Sequence, residues 1–168
     1  FHGDKYAIGP AISDGFYYDF ELPGDQRFTD EDLIRIEKRM KEIVKANQKF
    51  VRGECSIDEG VQKFSDQPFK LEIIEKVRAG ANIEEDSADF AGGDQISYYK
   101  NVDRDGNETY VDMCTGPHVP STGYLKAFKI MHLAGAYWRG DVTRPMLQRV
   151  YGTAWENKEA LEQHLYML

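Results

Sequence analysis

Cysteine is scarce in this sequence: 168 residues contain only Cys55 and Cys114, in unrelated settings. That excludes a disulfide framework and fits a reducing, cytoplasmic compartment in which both thiols stay free. Long apolar runs are missing too. Nothing approaches the roughly 18 consecutive apolar residues that span a bilayer, and the N-terminus lacks a basic-then-apolar leader, so no membrane partner is expected. Positive charge is outweighed, with 21 Lys and Arg against 29 Asp and Glu and a formal net charge of −8. A broad phosphate-tracking surface is thereby excluded, and any nucleic acid is met at one end or held mainly by another domain. Internal repeats and a glycine-rich phosphate loop are also absent. What is there is 41% hydrophobic and 12% aromatic, too apolar for general disorder and long enough for one real core. A single domain over residues 1–168 is the expectation.

Taken in order, Tyr6 to Phe20 alternates β-prone residues with the turn signals Gly9-Pro10 and Asp14-Gly15, which predicts two short strands, the second over Gly15 to Phe20. Thr29 followed by Asp30, Glu31 and Asp32 opens a helix, and Leu33, Ile36, Met40, Ile43 and Val44 continue it at helical spacing to near Asn47. A strand over Phe50 to Cys55 leads into the capping box of Ser56 and Glu59 and a short helix to Phe64. Pro68 suits the first turn of a further helix through Leu71, Ile74 and Val77. Lys70 falls in that turn, where the helix dipole disfavours a cation, a weak sign of function.

Residues 79–94 are acidic and Gly-rich without sustained period, which predicts a flexible loop. Gln95 to Val102 and Asn107 to Met113 flank Asp103-Arg104-Asp105-Gly106 as a hairpin. Phe128 to Trp138 and Met146 to Trp155 read as strands, and Asn157 caps a last helix through Leu161, Leu165 and Leu168. His132 is given no role.

Chemistry concentrates at the end of the hairpin's second arm. Alternation in Thr109 to Met113 sends Tyr110, Asp112 and Cys114 to one face and Val111 and Met113 to a core, and Gly116-Pro117 then ends the strand before His118. Three chemistries suit Asp112, Cys114 and His118. Cys114 could be a nucleophilic thiolate with His118 as its base. The two could be zinc ligands, although a catalytic zinc takes three protein ligands and only two can be named. Or His118 could orient a water against an ester while Asp112 holds an ammonium group. A purely structural reading, with Cys114 buried and His118 capping the loop, stays open on spacing alone.

The segment Tyr110-Val111-Asp112-Met113-Cys114-Thr115-Gly116-Pro117-His118-Val119-Pro120 resembles the Cys-x-x-x-His signature of the editing domain of bacterial-type threonyl-tRNA synthetases, a relative of the alanyl-tRNA synthetase editing domain. Ala7-Ile8-Gly9-Pro10, Gly15 to Asp19, Gly135 to Asp141 and Gln148 to Trp155 are similar to that domain in the same order, so the resemblance covers essentially the whole chain. It implies an α+β fold, an antiparallel sheet with packed helices, and hydrolysis of serine mischarged onto threonine tRNA. It further implies that Cys114 and His118 belong to the catalytic pocket and that Asp112 and Lys70 contact the seryl-adenosine end and its water. The implied partners are the tRNA 3′ acceptor end carrying serine and the remaining synthetase domains. The alternative is a non-catalytic module of the same lineage that binds the acceptor end or packs between domains.

In that family the signature is paired with a His-x-x-x-His helix just upstream of the Ala-Ile-Gly-Pro match, whereas here His2 is followed four residues later by Tyr6. The expectation is therefore a chain that starts after the histidine helix and hydrolyses poorly as it stands. No cofactor is expected to be required. A zinc ion on Cys114 and His118 would lack the two ligands of that helix.

Overall fold

The computed structural model describes residues 3–80, 91–92, 95–114 and 116–168, with the backbone alone for 91–92. The chain forms two compact units, one from residues 1–44 and 125–168 and the other from the continuous segment 45–124. The expected α+β class is what is found, with four α-helices and two antiparallel sheets among the described residues.

In the first unit, β1 (Lys5–Tyr6) and β2 (Ala11–Ile12) both pair with β3 (Gly15–Glu21). Two short strands therefore precede β3 where one was expected, because the register on β3 shifts by one residue between Tyr6 opposite Phe20 and Ala11 opposite Phe16, around Gly9-Pro10. Helix α1 (Asp30–Ala46) follows. Its entry is a reciprocal cap: the Asp32 N–H donates to Thr29 Oγ1 at 3.2 Å, and the Thr29 N–H to Asp32 Oδ2 at 2.9 Å. The apolar stripe then does what its period predicts. Leu33, Ile36 and Met40 pack with Phe16, Phe20, Ile130 and Val150. The unit is completed by the long antiparallel pair β8 (Ala127–Tyr137) and β9 (Met146–Trp155), with β9 bonded to β3. Helix α4 (Lys158–Met167), capped by Asn157 Oδ1 on the Ala160 N–H, packs on β8 and β9.

The second unit holds β4 (Lys49–Ser56), α2 (Ile57–Lys63), α3 (Pro68–Arg78), β5 (Ala91–Gly92), β6 (Gln95–Val102) and β7 (Glu108–Met113). Strand β6 pairs with β4 along one edge and with β5 and β7 along the other. Helix α2, capped by Ser56 on the Glu59 N–H, packs on α3, β4 and β6, and Phe64, Phe69, Ile73, Ile74, Ile96 and Met113 are buried. Gly60 lies against Ile96 and Ile74, close enough that a Cβ would sit 3.3 Å from Ile96. Most of the acidic stretch 79–94, residues 81–90, 93 and 94, lies outside the described residues.

Candidate active site

All four residues singled out in the sequence lie in the second unit, at the end of the β6–β7 hairpin and the start of α3. Strand alternation sets the hairpin's side: Met113 is buried in the core, and the Tyr110 hydroxyl, two residues before Asp112, donates to Asp112 Oδ2 at 3.4 Å. Pairing continues past the strand, since the Cys114 N–H donates to the Ser97 carbonyl at 3.1 Å.

Lys70, in the first turn of α3, is 1% exposed, and its ammonium lies 2.7 Å from Asp112 Oδ1. Burial pushes the Lys70 pKa below its ordinary value, and the Asp112 carboxylate and Cys114 beside it offset only part of that shift. Asp112 Oδ1 also accepts the Met113 N–H at 2.8 Å, which fixes the carboxylate's rotation. A charge so placed depends on such neighbours, because an isolated buried ammonium would lose its proton instead.

Cys114 and His118 meet: Sγ and Nε2 are 3.2 Å apart. The same sulfur accepts the Gly116 N–H at 3.3 Å. Gly116 has φ +81, a left-handed conformation natural to glycine, and this bend turns the chain back so that residue 118 faces residue 114. The His118 ring stacks on Tyr99, with centroids 3.9 Å apart at 13°, and meets Phe50 edge-on at 5.3 Å and 87°. Partial burial of the ring lowers its pKa, against a smaller opposing effect of Asp112. A neutral imidazole at pH 7 follows. The loop beyond it is tied to β4 by the Phe50 N–H on the Pro120 carbonyl (3.0 Å) and the Thr122 N–H on the Gln48 carbonyl (2.8 Å).

The sequence pointed to neither Tyr99 nor Phe50. The hydrophobic alternation of Gln95 to Val102 was a signal for Tyr99, which stands directly opposite Asp112 in the hairpin register. Reading that register required knowing the bulge between Asn101 and Val102. As to metal, the described residues contain no cluster of three or more His, Cys, Asp and Glu side chains. Cys114 and His118 give two donors, one short of a catalytic zinc, so these residues alone do not fit the ion.

The threonyl and alanyl tRNA synthetase second additional domain matches residues 99–151, which span the β6–β7 hairpin, the Cys114–His118 loop, β8 and part of β9. Threonine–tRNA ligases match nearly the whole chain: that of Bifidobacterium longum is 48% identical over 160 residues, 95% of this chain and 23% of the relative. Residues 99–151 belong to the second additional domain family of threonyl and alanyl tRNA synthetases. The Thermobifida fusca ligase is 46% identical over 165 residues, 98% of this chain and 25% of the relative. The Corynebacterium diphtheriae ligase is 45% identical over 172 residues, 100% of this chain and 24% of the relative. The chain thus spans about a quarter of the length of these curated relatives.

Proposed function

We propose that this domain hydrolyses the ester that joins serine to the 3′ end of threonine tRNA, as the post-transfer editing site of a threonine–tRNA ligase. The observation that carries the reading is the juxtaposition of Cys114 Sγ and His118 Nε2 at 3.2 Å, beside a buried Lys70–Asp112 pair. The chemical need is plain. A binding pocket gains only about 1–3 kcal/mol from one methyl group, so a synthetase that must refuse serine requires a second, hydrolytic sieve.

The residues divide the work. His118, neutral near pH 7, accepts a proton from the water that attacks the ester carbonyl. Cys114 Sγ, held by the Gly116 N–H, lies beside the His118 imidazole. Asp112 binds the seryl ammonium, with Lys70 holding its carboxylate in place. The partners in this reading are the acylated tRNA acceptor end and the other domains of a cytoplasmic synthetase. The 3.2 Å contact also favours a second chemistry, in which the Cys114 thiolate attacks, the tRNA 3′ oxygen leaves and water hydrolyses the seryl thioester.

Deacylation of seryl-tRNA and threonyl-tRNA by this chain, and by the chain extended at its N-terminus with the family's His-x-x-x-His helix, tests the proposal. Selective loss of serine with the extended chain, and little with the chain alone, is expected. An extended chain that binds acylated tRNA without hydrolysing it would leave the acceptor-end binding module in its place. A seryl adduct on Cys114, trapped by rapid quench and seen by mass spectrometry, would select the thiolate chemistry.

A further inference from the structure

His118 belongs to a segment without helix or strand of its own, and as a residue it is exposed. An imidazole in such a setting ordinarily samples several rotamers, and only some aim Nε2 at the residue four positions back. Here the ring has one wide neighbour, Tyr99, parallel to it within 13° at 3.9 Å. Tyr99 comes from the middle of β6, hydrogen-bonded on both edges, opposite Arg52 on β4 and Asp112 on β7. It is therefore one of the least movable positions in the unit. The same ring also touches the other group that faces the sulfur: a Cβ on Gly116 would run into the Tyr99 hydroxyl and the carbons beside it. Gly116 N–H and His118 Nε2, which both meet Cys114 Sγ, are thus laid against a single tyrosine.

We infer that Tyr99 is the positioning residue of this pocket, a platform that fixes the His118 imidazole and the Gly116 peptide in the arrangement that presents both to Cys114. Phe50 stands perpendicular to the imidazole, whereas Tyr99 is stacked on it. The consequence for ester hydrolysis rests on the function proposed above; the geometric part does not.

The test uses proton NMR of His118 in the chain as it stands, assigned with His118→Gln, together with single-turnover seryl-tRNA hydrolysis by the chain carrying the N-terminal histidine helix. In the wild type the His118 ring protons should be shifted upfield by the tyrosine ring current and show nuclear Overhauser contacts to Tyr99. Their absence in the wild type overturns the inference without any variant. Tyr99→Phe should keep both signals and near-normal hydrolysis. Tyr99→Leu should lose both and slow kcat by about 10–100-fold with KM changed little, as expected of a misplaced group. Unchanged His118 shifts in Tyr99→Leu, or equal damage in Tyr99→Phe, would refute the platform. Should the wild-type extended chain fail to hydrolyse seryl-tRNA while the NMR signals behave as expected, the functional reading falls and the platform stands.

Discussion

Lys70 places a full positive charge where almost no water reaches, and one carboxylate oxygen at 2.7 Å is its counterion. Removing one partner of a buried pair costs about 3–5 kcal/mol, since the other is left uncompensated, whereas replacing both by apolar groups is often near neutral. Asp112→Asn should therefore lower the melting temperature far more than the double variant Lys70→Met with Asp112→Leu, measured by thermal unfolding. Equal losses would mean that the pair does not hold this corner together. His118 makes a prediction about pH. Its proton is bound less tightly in the fold than in an ordinary histidine, so the neutral base survives to lower pH. The acid limb of kcat/KM for ester hydrolysis should accordingly lie below about 6.5. A limb above that value would show that another group is titrating. At this scale the sequence exposed Asp112, Cys114 and His118 because they are close along the chain. Lys70 was only hinted at by its awkward helix position, and Tyr99 and Phe50 were hidden because their contacts with His118 join two strands to a loop distant in sequence.

At the scale of elements, Glu37 adds a polar fastening between α1 and β8 to the apolar packing of Leu33, Ile36 and Met40. Glu37 accepts the Ile130 N–H at 2.9 Å and pairs with Lys129 at 3.1 Å and Lys41 at 3.4 Å. The Ile130 N–H is accounted for in this way where the β8–β9 register shifts, between Ile130 and His132. Burial pushes the Glu37 pKa up, but the Ile130 N–H, Lys129 and Lys41 together hold it below the ordinary value. A lowered carboxyl pKa stabilises the fold fully above about 4.5, and the gain is lost as pH falls through the folded value. Glu37→Gln should reduce stability by about 1–3 kcal/mol at pH 7 and flatten its dependence on pH below 4.5, both read from denaturant unfolding. An unchanged slope there would contradict the anchor. Three helices were legible because each begins with a local capping pattern, Thr29 with Asp32, Ser56 with Glu59, and Asn157, whereas α3 has no side-chain cap and was marked by Pro68 in its first turn. The partition of the short strands around Gly9-Pro10 was less so, since a two-residue strand has no period to read.

For the molecule as a whole, the second unit is continuous in sequence, whereas the first joins residues from both halves through the β3–β9 pairing. Sequence periodicity does not reveal that pairing, because Tyr17 meets Tyr151 only once the chain has folded. Residues 45–124 carry their own buried core and all the proposed site residues, and Asn47 and Gln48 bond to Ser121 and Thr122 near the segment's other end. Expressed alone, that segment should give a dispersed amide spectrum with the His118 signals of the longer chain, and a collapsed spectrum would show that its core is insufficient. In the function proposed, the Cys114–His118 pair serves hydrolysis and is not merely part of the scaffold. The most direct measurement is the single-turnover rate of seryl-tRNA hydrolysis by the chain bearing the histidine helix, compared with its Cys114→Ala and His118→Ala variants at matched melting temperature. Losses of about 100-fold or more, with threonyl-tRNA spared throughout, are the result predicted. Rates equal to wild type in both variants would contradict it.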